Sequence, residues 1–423
     1  MEGPVRSAET APAGPLFDRQ RMFHYPLIIL VVFALGAVLL VATSRDMIDF
    51  RGKPLGYDFI TFWGASDLTL EGRATDAFDP AEALKAQQKA VQGSEVDFFW
   101  HYPPTFQLVA APLALLPYPI AYLAFVTAGF LAYLFALRPL LNQPRPMLVL
   151  AAFPAALICA LHGQNSLLSA ALLGATIWLS ERGPREQVLA GVCIGLLAFK
   201  PQLGLLLPVA LALSRSWRTF TSAAVTVTAF IGIATVVFGR ELWGAFFADL
   251  PFVQLLLETG SLPWDKIVST WVFLRMLGAP DAIAYPVHIA VALAAVALVV
   301  YVWLRCGKTR LAWAVLVVAT LMIPHYAFDY ELTLLAIPAA ILASDMAERG
   351  ASRADKLLLL AIVVLSGATA PISSALHIQV AQPLLLAALW LTTRRALSAP
   401  GTRALLPFRK GNGRLASEAA TPV

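Results

Sequence analysis

The sequence predicts an all-α polytopic integral membrane protein, with about twelve transmembrane helices and a long first periplasmic loop that carries short juxtamembrane helices. Three observations predict it. Of 423 residues, 59% are hydrophobic and 13% charged, whereas soluble globular proteins carry about 25% charged residues. Mean hydropathy is +0.71. Apolar runs near the length of about 17–20 residues needed to span a bilayer recur along the whole chain. The basic residues gather in alternate loops between those runs, as the positive-inside rule requires.

The elements follow in order. Residues 1–23 form a cytoplasmic tail, Pro/Ala/Gly-rich and disordered as far as Asp18. The first run, Tyr25–Ala42, follows Arg19 and Arg21. It is longer than a signal-peptide core and lacks a small-x-small cleavage site, so it reads as a retained anchor. Further spans are Pro119–Leu137, Met147–Leu161, Ser166–Leu179, Gln187–Phe199, Leu203–Leu213, Phe220–Phe238, Ala282–Leu304, Leu311–Ile323, Glu331–Ala343, Lys356–Ala370 and Val380–Thr393. Proline or a polar cluster shortens several of them. Residues 24–397 make one transmembrane domain, with loops at 44–118 and 239–280, and 398–423 form a basic cytoplasmic tail. Gln107–Leu116 is apolar too, but Pro112, Pro117 and Pro119 break it. We read it as a helix lying at the outer surface. As a crossing it would invert every later loop.

With the N-terminus inside, the inner loops hold Arg138 and Arg145; Arg182 and Arg185; Arg215 and Arg218; Arg305, Lys308 and Arg310; Arg349, Arg353 and Lys356; and the C-terminal cluster from Arg394 on. Both termini are then cytoplasmic. The net charge of +5 belongs to these loops, which argues against nucleic acid as a partner. Cys159, Cys193 and Cys306 lie in or beside apolar runs without CxxC spacing, so buried, unpaired thiols are expected. The outer face collects the unusual polar clusters, and function is expected there. They are the first loop, His162-Gly163-Gln164-Asn165, Lys200-Pro201-Gln202, residues 239–280, Pro324 to Asp329, and Pro371 to His377.

Asp58 stands among Tyr57, Phe59, Phe62 and Trp63. Those neighbours would hold it at the membrane surface, where a carboxylate can take a proton from an attacking hydroxyl. The plain alternative is one more solvated loop aspartate. Lys200 is a lone cation in an apolar stretch. Charge there is costly, so it lines a polar cavity facing a phosphate or snorkels to the interface. His325 and Asp329, four apart, offer a phosphate contact and an orienting carboxylate, or a local bond at a helix start. Gln164 and Asn165 suit sugar hydroxyls, or a helix cap. The chain contains no GxGxxG, Walker loop, GxSxG, HExxH or metal-spaced Cys/His set. The nearest approach to a D-x-D clamp is Asp329-Tyr330-Glu331.

Four ordered blocks resemble glycosyltransferase family 87. The first is Tyr57-Asp58-Phe59 with Trp63-Gly64-Ala65, Leu70-Glu71-Gly72 and Ala77-Phe78-Asp79-Pro80. The second runs from His101-Tyr102-Pro103-Pro104 to Pro117. Then come Gly163-Gln164-Asn165-Ser166-Leu167-Leu168 with Gly195 to Pro201, and Arg215-Ser216-Trp217-Arg218. Beyond Phe238 the likeness thins to Pro324-His325-Tyr326. The resemblance implies a GT-C membrane fold and an inverting enzyme that uses a polyprenyl-phosphate sugar, typically mannose. It implies Asp58 as the base, Lys200 and His325 at the donor phosphate, and a lipid-linked or glycan acceptor. Candidates for contact with sugar or acceptor are Tyr57, Trp63, His101, Tyr102, Gln164, Asn165, Gln202, Tyr326 and Asp329. The implied scheme uses no cofactor and no metal, and it places the active site on the periplasmic face of a bacterial inner membrane, among membrane lipids. Phe62-Trp63 departs from many relatives and is expected to alter the cavity rim. The rival readings are a transporter or lipid flippase, with Lys200, His325 and Asp329 on a translocation path, and a non-catalytic scaffold.

Overall fold

The computed structural model describes residues 20–95 and 98–399. The expectations for the outermost tails fall outside them. Among the described residues the chain is helical, with only isolated bridges between extended pairs. Five helical segments are long and apolar enough to cross a membrane: Arg21–Thr43, Tyr118–Leu140, Trp217–Phe238, Asp281–Cys306 and Asp329–Arg349. A sixth is added if Arg353–Leu365 and Thr369–Leu376, bent by 84°, count as one span. Helix α1 (Arg21–Thr43) buries only Pro26. Leu35, Val38 and Leu39 are each more than 60% exposed. An apolar surface that extensive has no place in water, and it identifies a membrane protein.

The chain folds between two ends. At one end Arg310 forks onto Glu181 with both distances 2.8 Å, and Lys308 donates to the Ser180 carbonyl. The Asn142 backbone N–H meets Ser344, Arg349 and Arg395 share Asp345, and Arg394 pairs with Asp355. Arg145 lies over Phe23. The loops read as basic and inner are therefore neighbours in space. At the other end stand Asp58, Gln164, Lys200 and the 264–268 turn.

Between positions 43 and 118 the chain stays at this second end. Helices α2 (Phe59–Leu70), α3 (Pro80–Ala90) and α4 (Pro104–Ala110) pack around Phe59, Phe62, Trp100 and Phe106, all at or below 2% exposed. Asp79 caps α3 by accepting from the Ala81 and Glu82 N–H groups, with Pro80 at the first helical position. Gln107 donates to the Ala65 carbonyl, Ser66 to that of Ala111, and Trp63 to that of Leu116. Gln107–Leu116 is thus tied along α2. Helix α5 (Tyr118–Leu137) then starts from this end, where Tyr118 donates to the Leu55 carbonyl.

Several runs depart from the sequence reading. Met147–Leu161 divides into α6 (Pro146–Ala151) and α7 (Pro154–Leu161), because Pro154 lacks the N–H a continuous helix needs. The run at Glu331 opens as a 3-10 segment, Asp329–Leu335. Residues 239–280 contain two helices, Glu241–Glu258 and Thr270–Met276. Cys159 is buried, but Cys193 and Cys306 are only half-buried. The helix Arg310–Met322 is buried at every residue from Leu311 to Met322. Thirteen residues make about 20 Å of helix, and a helix buried all round lies in the interior of the bundle.

Candidate active site

Asp58 owes its position to two consecutive residues with left-handed backbone, Gly56 at φ +89° and Tyr57 at φ 46°. A bulky residue rarely adopts that conformation. The reversal leaves Asp58 at the N-cap of α2 without a capping bond to its own helix. Its carboxylate turns instead to the loop between α7 and α8 (Ser166–Ser180). Gln164 Nε2 donates to Asp58 Oδ2 at 3.0 Å, and His162 Nδ1 lies 3.6 Å from the same oxygen. Tyr57 stacks on the His162 ring, with centroids 4.9 Å apart, while its hydroxyl donates to Asp49 at 2.8 Å. Tyr102 donates to Gln164 Oε1 at 3.0 Å, which fixes the amide with its N–H toward Asp58.

Gly163 allows this approach. Its φ is +60°, and a Cβ there would lie 2.5 Å from that of Phe59. Only glycine fits both constraints.

Burial acts to raise the Asp58 pKa, but the His162 contact and charge, then Lys266, then the Gln164 bond outweigh it and hold the carboxyl below its ordinary value. Tyr102 is pushed up, first by burial and then by Glu331 and Asp58. It therefore remains a hydroxyl donor. Tyr326 is raised in the same way, by burial and by the charges of Asp58 and Asp249.

Beneath this acid, Lys200 is 3% exposed. Its ammonium pairs with Glu331, donates to Ser166 Oγ at 3.2 Å, and lies 5.5 Å from the Tyr330 ring centroid. The depth agrees with the sequence reading. The partner does not, because the lysine was expected to be open to a phosphate and its charge is balanced within the bundle. Asn165 is fully buried and makes no capping bond, which removes the helix-cap alternative. Gln202 is half-buried at the start of the short helix Pro201–Gly204.

Other expected site residues divide. His325 and Asp329 share no hydrogen bond or ion pair among the described residues. The His325 ring faces Tyr285 and His288, at 6.2 and 6.3 Å, and burial lowers its pKa against Glu258. Asp329, 6% exposed, shares the electrostatic neighbourhood of Lys266, His162 and Asp58. His101 pairs with Asp249 at 2.7 Å. Together they border a cavity of about 10 Å³ with Phe78, Phe99 and Phe252. Trp63 spends its N–H on Leu116. Phe62 is fully buried against Trp100, Tyr102 and Phe106, so it forms core and not cavity rim.

A groove of about 410 Å³ lies among Leu298, Leu386, Leu389, Trp390, Thr393 and Arg394. Asp58 borders neither cavity, and its side chain is 22% exposed. Among the described residues no group of three or more His, Cys, Asp or Glu side chains is arranged to hold a metal ion.

Sequence reasoning missed His162, Lys266 and Glu331 as parts of this site. Each stood in a segment already singled out, but only the fold shows what each one faces.

The fold and site thus define a helical membrane protein with an acid-centred polar site at the end opposite its basic loops. The profile of glycosyltransferase family 87 matches residues 100–324. The chain belongs to that family and is a glycosyltransferase. The match starts later than the resemblance read from the sequence and extends well past Phe238. Asp58 and His325 lie outside it, whereas Tyr102, His162, Gln164, Lys200 and Lys266 lie inside. Neither the curated proteins nor the solved structures contain a match to the chain.

Proposed function

We propose that this glycosyltransferase is an inverting, GT-C-type enzyme that moves a hexose, mannose by family resemblance, from a polyprenyl-phosphate sugar to a lipid-linked or glycan hydroxyl. Asp58 takes the proton of the acceptor hydroxyl. The acceptor oxygen attacks the anomeric carbon, and the carbon–oxygen bond to the lipid phosphate breaks on the opposite face. The phosphate departs with the electron pair, and one displacement inverts the configuration. Tyr102, Gln164, Tyr326 and Asp329 surround Asp58 and supply contacts to sugar or acceptor. His325 stands on the phosphate side.

The observation that carries this reading is the carboxylate of Asp58. It is held ionised by His162 and Gln164 at a partly open position, in a chain of a glycosyltransferase family. The separation of the basic loops from this site supports a cytoplasmic location for both termini and a periplasmic site in a bacterial inner membrane.

The test is transfer from a synthetic polyprenyl-phosphate mannose by the purified protein in lipid nanodiscs. Asp58→Asn is expected to lower transfer by about a hundred- to ten-thousandfold, the range of a lost general base, with folding intact. Turnover unchanged in that variant would remove Asp58 as the base. If the wild-type protein uses no polyprenyl-phosphate sugar at all, a flippase or transporter becomes the better reading.

A further inference from the structure

The turn Trp264–Lys266 is held unusually firmly for a loop. Gln379 donates its side-chain N–H groups to three carbonyls, those of Trp264 at 3.2 Å, Asp265 at 3.1 Å and Ile267 at 2.7 Å. Ile267 forms an antiparallel bridge with Phe328, and the Val268 N–H donates to the Ala327 carbonyl at 2.6 Å. The bridge brings together the end of the turn that carries Lys266 and the segment that carries Tyr326 and Asp329, and the Lys266 charge is felt at Asp329.

The charges around Asp58 leave this lysine available. Lys200 is paired with Glu331. Among the described residues Lys266 makes no ion pair, and neither does Lys53. Lys53 sits on the 49–54 turn, where its N–H donates to Asp49. The two ammonium groups act on each other and on Asp58, and the Lys53 pKa is lowered by burial first and by Lys266 next. Two cations that make no ion pair and repel each other gain from an anion bound between them.

We propose that Lys266, on the turn fixed by the Gln379 clamp and beside the segment that carries Asp329, is the cation that receives the donor's phosphate. Lys200 instead ties the Ser166 helix to Glu331. The proposal rests on the polyprenyl-phosphate reading above. As the sugar–phosphate bond breaks, negative charge grows on the phosphate, and an ammonium already in place stabilises it without reorganising.

The experiment compares binding of unglycosylated polyprenyl phosphate and of the matching polyprenol, which lacks the phosphate, to the full chain in nanodiscs. The wild type is expected to prefer the phosphate. Lys266→Gln should lose about ten- to a hundredfold of that preference, the worth of a charge-assisted hydrogen bond. Lys266→Arg should restore most of it. The double replacement Lys200→Met with Glu331→Leu should leave it intact. Should Lys266→Gln not fold, Gln379→Ala, which loosens the turn and keeps the charge, should weaken the preference partially. A wild type that does not distinguish the two lipids refutes the donor class itself. A wild type that distinguishes them, with Lys266→Gln or, where that does not fold, Gln379→Ala unchanged, or with the Lys200/Glu331 double variant impaired, overturns the assignment to Lys266 alone.

Discussion

Gln164 donates to the carboxylate of Asp58 across 106 residues of sequence, at 3.0 Å, while its own carbonyl oxygen is held by Tyr102. The side chain that orients the proposed base is therefore oriented itself, by an aromatic residue of the first loop. Three segments far apart in the chain meet at one acid.

The close approach that makes this possible runs through Gly163. Gly163→Ala places a methyl 2.5 Å from Phe59 Cβ at a φ of +60°. We expect it to push His162 and Gln164 away from Asp58. The backbone component alone costs about 1–2 kcal/mol. Sugar transfer should fall by more than tenfold while the protein still inserts and purifies as a monodisperse species. Wild-type transfer by this variant would show that the contact is not needed.

The acid limb of the pH profile reports on Asp58. His162 is the first of the influences that lower its pKa, acting against burial. His162→Phe removes that influence, so the carboxyl protonates at higher pH. The acid limb of kcat/KM, which titrates the free enzyme, should move toward neutral pH. A limb that stays in place would mean that another group sets it. The same shift has a stability consequence. The folded pKa of Asp58 is depressed, so its contribution is present above the ordinary aspartate value of about 3.9 and is lost as the pH falls through the lower folded value. His162→Phe should reduce that contribution.

Lys200 and Glu331, 3% and 6% exposed, form an ion pair inside the bundle. Lys200→Met leaves Glu331 as an uncompensated buried charge, and we expect a loss of about 3–5 kcal/mol. The double variant Lys200→Met, Glu331→Leu should recover most of it, because two well-packed apolar residues replace a pair whose desolvation was costly. Thermal unfolding in detergent measures both. Equal stability of the single and double variants would show that the pair is not energetically coupled.

Some of this was legible in the sequence, for reasons tied to particular residues. The anchor at Tyr25–Ala42 was visible because its hydropathy is continuous, and the helix runs only a few residues further at each end. Gln107–Leu116 was marked as irregular by Pro112 within it and Pro117 and Pro119 just after it, but its bonds to Ala65, Ser66 and Trp63 could not be read locally. Asp58 was set apart from the other first-loop aspartates by the family resemblance more than by its aromatic neighbours, of which Phe62 is core. Lys200 stood out as a lone cation in an apolar stretch, but only the fold showed it buried and not snorkelling to the interface. Its partner Glu331 stands 131 positions away, and nothing local connects the two.

By itself the sequence determined the helical membrane class, the gathering of basic loops at one end and the family of the enzyme. All three are carried by composition, spacing and short motifs, which act over one helix or one loop. Only the tertiary structure decided which charge answers which. It set Gln164 and His162 on Asp58 and spent Lys200 on Glu331. Electrostatic pairing depends on distances of a few ångströms between segments more than a hundred residues apart, and packing alone fixes those distances.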